Sequence, residues 1–204
     1  MMGKTHLCVG MASALLVALP AAGEGLAVPL AALAGGALGG VTADVDILDN
    51  GLLSDAHTSQ MSAVGVVALA LFADSLFHAG LWKDITASQR ALSLGLIAYG
   101  VLLVLGFFSA HRTFTHSLLA GALFTGAVSL LSLPLAGFYA VGYGSHLALD
   151  LLNRKGMQIF YPLPGRHCLR LCYAGGWANS LLLKGGMGLS ALLLALCLLR
   201  VFVK

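Results

Sequence analysis

Residues Gln89–Leu133 read QRALSLGLIAYGVLLVLGFFSAHRTFTHSLLAGALFTGAVSLLSL. Apolar runs of membrane-crossing length, Gln89–Ser109 and Leu118–Leu133, flank the polar stretch His111-Arg112-Thr113-Phe114-Thr115-His116-Ser117. Polar links between spans are usually solvated turns. This one concentrates two imidazoles, a guanidinium and three hydroxyls, which is the chemistry of metal and anion sites. The question for the rest of the chain is what else lies at the same membrane face.

The 204 residues are 59% hydrophobic and 9% charged, with mean hydropathy +0.93. Soluble domains carry about 25% charged residues, so composition points to an all-α polytopic membrane protein. The net charge of +3 is spread along the chain, without the basic face that nucleic-acid binding requires. Cys8 and Cys197 sit in apolar runs and read as small core residues. Cys168 and Cys172 are four apart and form no CxxC pair, a weak metal signal. The N-terminal run Leu7–Leu19 followed by Pro20-Ala21-Ala22-Gly23 has the outline of a signal peptide. Cleavage would discard His6, and another apolar stretch follows at once, so an uncleaved first span is expected.

About seven spans are expected, near Leu7–Ala22, Leu26–Val41, Met61–Leu81, Gln89–Ser109, Thr115–Leu133, Leu135–Leu152 and Trp177–Val203. Gly35-Gly36 and Gly39-Gly40 allow close helix approach, so the expectation is a compact bundle forming a single domain over residues 1–204. The segment Asn153–Gly176 contains Tyr161-Pro162-Leu163-Pro164-Gly165 and cannot be a continuous helix. It is expected to be a short irregular cap between the sixth and seventh spans. Alternating the spans places His6, Asp44, Asp46, Asp49, Asp55, His57, His111, His116, His146, Asp150 and His167 on one face, while Glu24, Asp74, His78 and Asp84 fall elsewhere. Six of seven histidines and five of eight acidic residues therefore gather on one side, which is the pattern of a site assembled from distant segments. That face also has Lys4, Arg112, Arg154, Lys155, Arg166, Arg170 and Lys184, against Lys83, Arg90, Arg200 and Lys204 opposite. The positive-inside rule puts it in the cytoplasm.

Within this face, His146 and Asp150 are one helical turn apart and share a side. They suit two metal ligands, a ligand with its orienting partner, or a structural pair. Asp44-Val45-Asp46 ends the second span, and its carboxylates share a side only if the backbone is extended there. His6 marks the entry of the first span. His111 and His116 converge only if the chain breaks between them, with Thr115 as the expected N-cap of the next helix. Helix-terminal N–H groups and Arg112 would then face a common anion site. Asp74 and His78 form a second pair one turn apart, on the other side, and read as structural.

His6, Asp44-x-Asp46, His111-Arg-Thr-Phe-Thr-His-Ser117, and Gly144-Ser-His146-x-x-x-Asp150 with downstream Pro162 together resemble the YdjM-like family of bacterial inner-membrane proteins. The resemblance covers about His6 to Gly176. It implies metal-dependent hydrolysis, with the matching His and Asp positions as metal ligands: His6, Asp44, Asp46, His111, His116, His146 and Asp150. The chain departs from the family pattern at Ala43, where relatives usually have Pro, and at Thr113, where they have Gly. Asn179 stands where relatives often carry Glu.

The resulting expectation is a hydrolase in the bacterial inner membrane. It would use metal-activated water on an ester or phosphoester of a lipid-like substrate at the cytoplasmic surface. One or two divalent ions are expected, zinc or else manganese or iron, because the ligands mix N and O with no thiolate. Arg112 would stabilise the developing oxyanion and Ser117 would support the site. The alternatives are a divalent-ion or proton-coupled transporter, and a regulatory membrane protein whose metal only shapes a surface.

Overall fold

The computed structural model describes residues 1–47 and 54–203. Every expected span forms a helix: α1 Gly3–Ala18, α2 Ala27–Thr42, α3 Asp55–Phe77, α5 Gln89–Phe107, α6 Leu118–Ser129, α7 Leu133–Leu151 and α8 Trp177–Phe202. A short α4, Leu81–Ile85, follows the turn after α3. Serines start four of these helices by accepting a backbone N–H three residues on: Ser54 from His57, Ser88 from Ala91, Ser117 from Ala120 and Ser132 from Leu135. Among the described residues there are isolated bridges but no β-strand.

Five segments are long and apolar enough to cross a membrane: Gly3–Glu24, Ala27–Asp46, Asp55–Phe77, Gln89–Phe107 and Trp177–Phe202. The other two expected spans differ. Helix α6 has 12 residues, a length of about 18 Å, short of the ~30 Å hydrocarbon layer. Helix α7 has 19 residues but carries Tyr139, Tyr143, His146 and Asp150 along its length, which lowers its apolarity. The span expected to begin at Thr115 becomes α-helical only at Leu118, because residues before it are held in an irregular turn by polar contacts described below.

Helix α2 is the centre of the bundle. Its span is 78% buried, against 11% for α5, and it packs on α1, α3 and α7. Small residues make this possible. A Cβ on Gly142 would lie 2.6 Å from the Gly36 carbonyl oxygen, and one on Gly10 would lie 2.5 Å from the same oxygen. Gly36 thus lets α1 and α7 approach α2 backbone to backbone. Phe124, Tyr139, Tyr143 and Leu147 fill the space between α2, α6 and α7. Helices α3, α5 and α8 leave apolar outer faces exposed, including Leu69, Ile97 and Leu192, as lipid contact requires.

The expected cap is present. Residues 153–176 fold back over the ends of α6 and α7, with Met157 and His167 exchanging backbone hydrogen bonds at 3.1 and 2.9 Å. The cap is tied to the polar stretch: Gln158 N–H donates to the Arg112 carbonyl and Leu118 N–H to the Ile159 carbonyl, both at 3.0 Å.

Candidate metal centre

Beneath the cap, four segments bring their polar side chains to one point. Helix α1 supplies His6, the turn after α2 supplies Asp44 and Asp46, the link between α5 and α6 supplies His111, Arg112 and His116, and α7 supplies His146 and Asp150. His6, Asp44, Asp46, Arg112, His116, His146 and Asp150 are buried, while the His111 side chain is 42% exposed. Three carboxylates at a bundle end are costly unless each is paired. The pairing is dense.

Asp44 and Asp46 do not share a side. Residues Ala43–Asp46 form a 3-10 turn rather than an extended link, so residues two apart point about 120° away from each other. Asp44 Oδ1 faces inward, 3.6 Å from His116 Nε2 and 3.7 Å from His146 Nε2. Asp46 faces the polar stretch. It accepts from His111 Nδ1 at 2.8 Å, from the Arg112 backbone N–H at 3.1 Å and from Thr115 Oγ1 at 2.6 Å, and lies 3.3 Å from His116 Nδ1. These contacts, with Arg112 at φ 65°, provide the break that lets His111 and His116 converge, with ring centroids 5.2 Å apart. A left-handed arginine is strained backbone, held here by Asp46 and the cap.

His146 Nδ1 donates to the Gly40 carbonyl at 2.8 Å, which leaves Nε2 as the free lone pair of the neutral ring. That Nε2 lies 3.4 Å from His116 Nε2. Asp150 completes the cluster, with Oδ2 3.5 Å from His116 Nε2 and Oδ1 3.2 Å from His6 Nε2. Arg112 Nη2 donates to Asp150 Oδ2 at 2.9 Å, and Nη1 donates to the Lys155 carbonyl. The Met1 amine also contacts Asp150. His6 stacks on His146 with centroids 3.7 Å apart, and neither of its buried ring nitrogens has a hydrogen-bond partner. Burial disfavours the His116 imidazolium, yet the Asp44 and Asp46 carboxylates outweigh this and push its pKa up to about 9.

Three groups of side chains could hold a metal ion: His6, Asp44 and His146; His116, His146 and Asp150; and Asp46, His111 and His116. Ligands at 2.0–2.1 Å around a tetrahedral ion lie about 3.3 Å from one another. The separations of 3.2 to 3.7 Å among His6, Asp44, His116, His146 and Asp150 are of that size. The first two groups share His146, and either could hold an ion.

Other sequence expectations resolve differently. Ser117, not Thr115, caps α6, and its hydroxyl also donates to the Phe114 carbonyl at 2.6 Å. At the α6 N-terminus two amides are already engaged. Leu118 N–H is taken by Ile159 and Ala120 N–H by Ser117, leaving Arg112 as the cationic group. Asp55 accepts from Gly3 N–H, His57 pairs with Ser54 Oγ at 2.9 Å, and His167 packs on Phe160, all outside the cluster. Asp49 lies outside the described residues. Asp74 accepts from Leu81 N–H at 2.7 Å and Trp82 N–H at 2.8 Å, and His78 ends α3 at φ 51°, which makes that pair structural. All four cysteines are free thiols. Asn179 accepts from Thr5 Oγ1 at 2.9 Å and Met2 N–H at 3.1 Å, so it anchors the turn of α1 that bears His6. The Gly40 and Lys155 carbonyls carried no signal in the sequence, since any residue supplies a carbonyl. Thr115 stood inside the polar stretch and was legible as a polar neighbour.

Neither the curated proteins nor the solved structures include a match to this chain. The family comparison does: with five apolar helices of spanning length and a match to the YdjM inner membrane protein family over residues 1–204, the chain belongs to that family and is a multi-pass inner-membrane protein.

Proposed function

We propose that this protein is a metal-dependent hydrolase whose substrate is a lipid-borne ester or phosphoester. The observation that carries the reading is His6. It is a fully buried imidazole stacked on His146; its Nδ1 has no hydrogen-bond partner, and its Nε2 faces Asp150 Oδ1 at 3.2 Å outside hydrogen-bond geometry. A polar ring buried without partners is costly, and a ligated ion would relieve that cost. In this reading His6, Asp44, His116, His146 and Asp150 hold the ion. A divalent ion there, zinc or else manganese or iron, supplies a Lewis acid and lowers the pKa of water toward neutrality.

The remaining residues have separate tasks. Asp46 orients His116 through Nδ1, and the Gly40 carbonyl orients His146. His111 is held by Asp46 through Nδ1, and its ring reaches the exterior, so it can carry a proton between the site and solvent. Arg112 keeps a guanidinium beside Asp150 and is the group that would balance charge on an anionic transition state. Ser117 stands apart from the chemistry, because its hydroxyl is engaged at the α6 cap. A second ion would require Asp46, His111 and His116, but Asp46 already accepts from three donors. One ion is the reading these contacts favour. Transport receives less support, since the far-side Asp74 is occupied by backbone amides.

Arg112 separates the two readings. In a hydrolase, Arg112→Ala lowers turnover by ~10²–10³ with metal retained, and Arg112→Lys recovers only part. The assay is metal content together with hydrolysis of phospholipids and polyprenyl phosphates, and divalent-ion uptake, in all three proteins. Higher uptake in Arg112→Ala with no hydrolysis in any of them would decide for transport.

A further inference from the structure

We propose that the cap, residues 153–176, with Trp177 at its edge, is a docking surface for the headgroups of anionic phospholipids in the leaflet it faces. The inference is independent of whether the metal centre hydrolyses anything. It begins with an imbalance in the segment's surface. Phe160, Leu163, Leu169, Leu171, Tyr173 and Trp177 are between 52% and 80% exposed. Interleaved with these are four exposed cations, Arg154, Lys155, Arg166 and Arg170. No acidic residue occurs anywhere after Asp150. The cap therefore presents four positive side chains and no carboxylate.

Neither water nor hydrocarbon suits that combination. In water, six large apolar side chains would stay hydrated at a cost. In the hydrocarbon, four cations and an irregular backbone would go unsatisfied. The headgroup layer accommodates both: apolar and aromatic side chains dip toward the acyl boundary while Arg and Lys reach lipid phosphates. The surplus of positive charge selects anionic over zwitterionic lipid.

The anchoring of the cap fixes this surface at the membrane end of the bundle. Leu169 and Leu171 donate to the carbonyls of Leu151 and Leu152 at 2.6 and 3.0 Å, and Gln158 donates to Arg112. Their side chains are thus held beside the end of α7. Arg154 lies over the Tyr173 ring at 4.2 Å, an arrangement that keeps a cation and an aromatic ring at the same depth. Because the cap's backbone binds Arg112 on its inner side, a lipid docked outside sits one layer from the buried cluster.

The test uses the full-length protein in bilayer nanodiscs. Cys8, Cys168, Cys172 and Cys197 are replaced by Ala, and a bimane label is placed at Leu163→Cys or Leu171→Cys. Trace phosphatidylglycerol or phosphatidylcholine, each with a shallow acyl spin label, serves as quencher in a phosphatidylcholine background, with iodide as the aqueous quencher. The expected result is stronger quenching by phosphatidylglycerol at equal mole fraction, with weak quenching by iodide. Arg166→Gln/Arg170→Gln lowers the phosphatidylglycerol preference at least about fivefold and leaves quenching by phosphatidylcholine. If that variant does not fold, ~0.5 M salt applied to the parent labelled protein must weaken the same preference. Equal quenching by the two lipids overturns the assignment. So does strong iodide quenching without lipid quenching, which would make the cap a water-facing surface for a protein partner.

Discussion

Asp44 and Asp46 are two residues apart, and the 3-10 turn gives them different neighbours. Asp44 faces two Nε2 atoms, while Asp46 is surrounded by His111, the Arg112 amide, Thr115 and His116. The residue types and their gathering were legible in the sequence; this division was not. It depends on a backbone dihedral choice at Ala43–Asp46 that the pattern Asp-x-Asp does not encode. Ser117 is a similar case. A serine before an apolar run is a helix cap as readily as a site residue, and the Ala120 N–H contact at 3.1 Å shows the cap. If Asp46 orients His116 rather than binding the ion, Asp46→Asn should weaken metal affinity about 10–100-fold without abolishing binding. Competition with a chelating indicator on folded, detergent-purified protein measures this. Affinity equal to the parent would contradict the assigned role, and complete loss would make Asp46 a ligand.

At the scale of elements, apolar runs located α1, α2, α3, α5, α6, α7 and α8, because lipid requires continuous helices and their composition shows it. The sequence did not reveal where α6 starts. Hydropathy runs on through Thr115 and Phe114, whereas Asp46 holds Thr115 and His116 in the turn before the helix. Nor could it show which glycines matter, since that depends on which helices cross where. Gly142 and Gly144 share one helix and differ sharply in surroundings. A Cβ at Gly142 meets the Gly36 carbonyl oxygen at 2.6 Å and its Cα at 3.0 Å, while one at Gly144 meets nothing within 4 Å. Backbone atoms cannot rotate away, so Gly142→Ala should destabilise by about 1–3 kcal/mol. Gly144→Ala should be neutral or stabilise by up to ~1 kcal/mol through helix propensity. Thermal unfolding in one detergent, followed by circular dichroism, compares them. Equal midpoints for the two variants would show that the α2–α7 crossing is looser than described.

For the whole molecule, counting faces from the sequence gathered the histidines and acids at one end, and the fold places His6, Asp44, Asp46, His111, His116, His146 and Asp150 together there. His57, Asp55 and His167 lie at the same end without joining them, because a face count gives side and not position within it. At the opposite end Arg200 Nη1 donates to the Leu19 carbonyl at 3.2 Å, and Glu24 is exposed. With the basic cap in the cytoplasm, a cysteine at Gly165 should resist impermeant thiol reagents in intact cells, in a background lacking native cysteines, while one at Glu24 should react. The reverse pattern would turn the site toward the periplasm. The central claim is that residues from distant helices hold one metal ion together, and metal content tests it most directly. Elemental analysis of folded, detergent-purified protein should find about one divalent ion per chain. Singly substituting Ala for His6, His116, His146 or Asp150 should sharply reduce it, while Asp84→Ala should leave it unchanged. Full occupancy in all four site variants, or no metal in the parent protein after purification with zinc, manganese or iron supplied, would contradict the account.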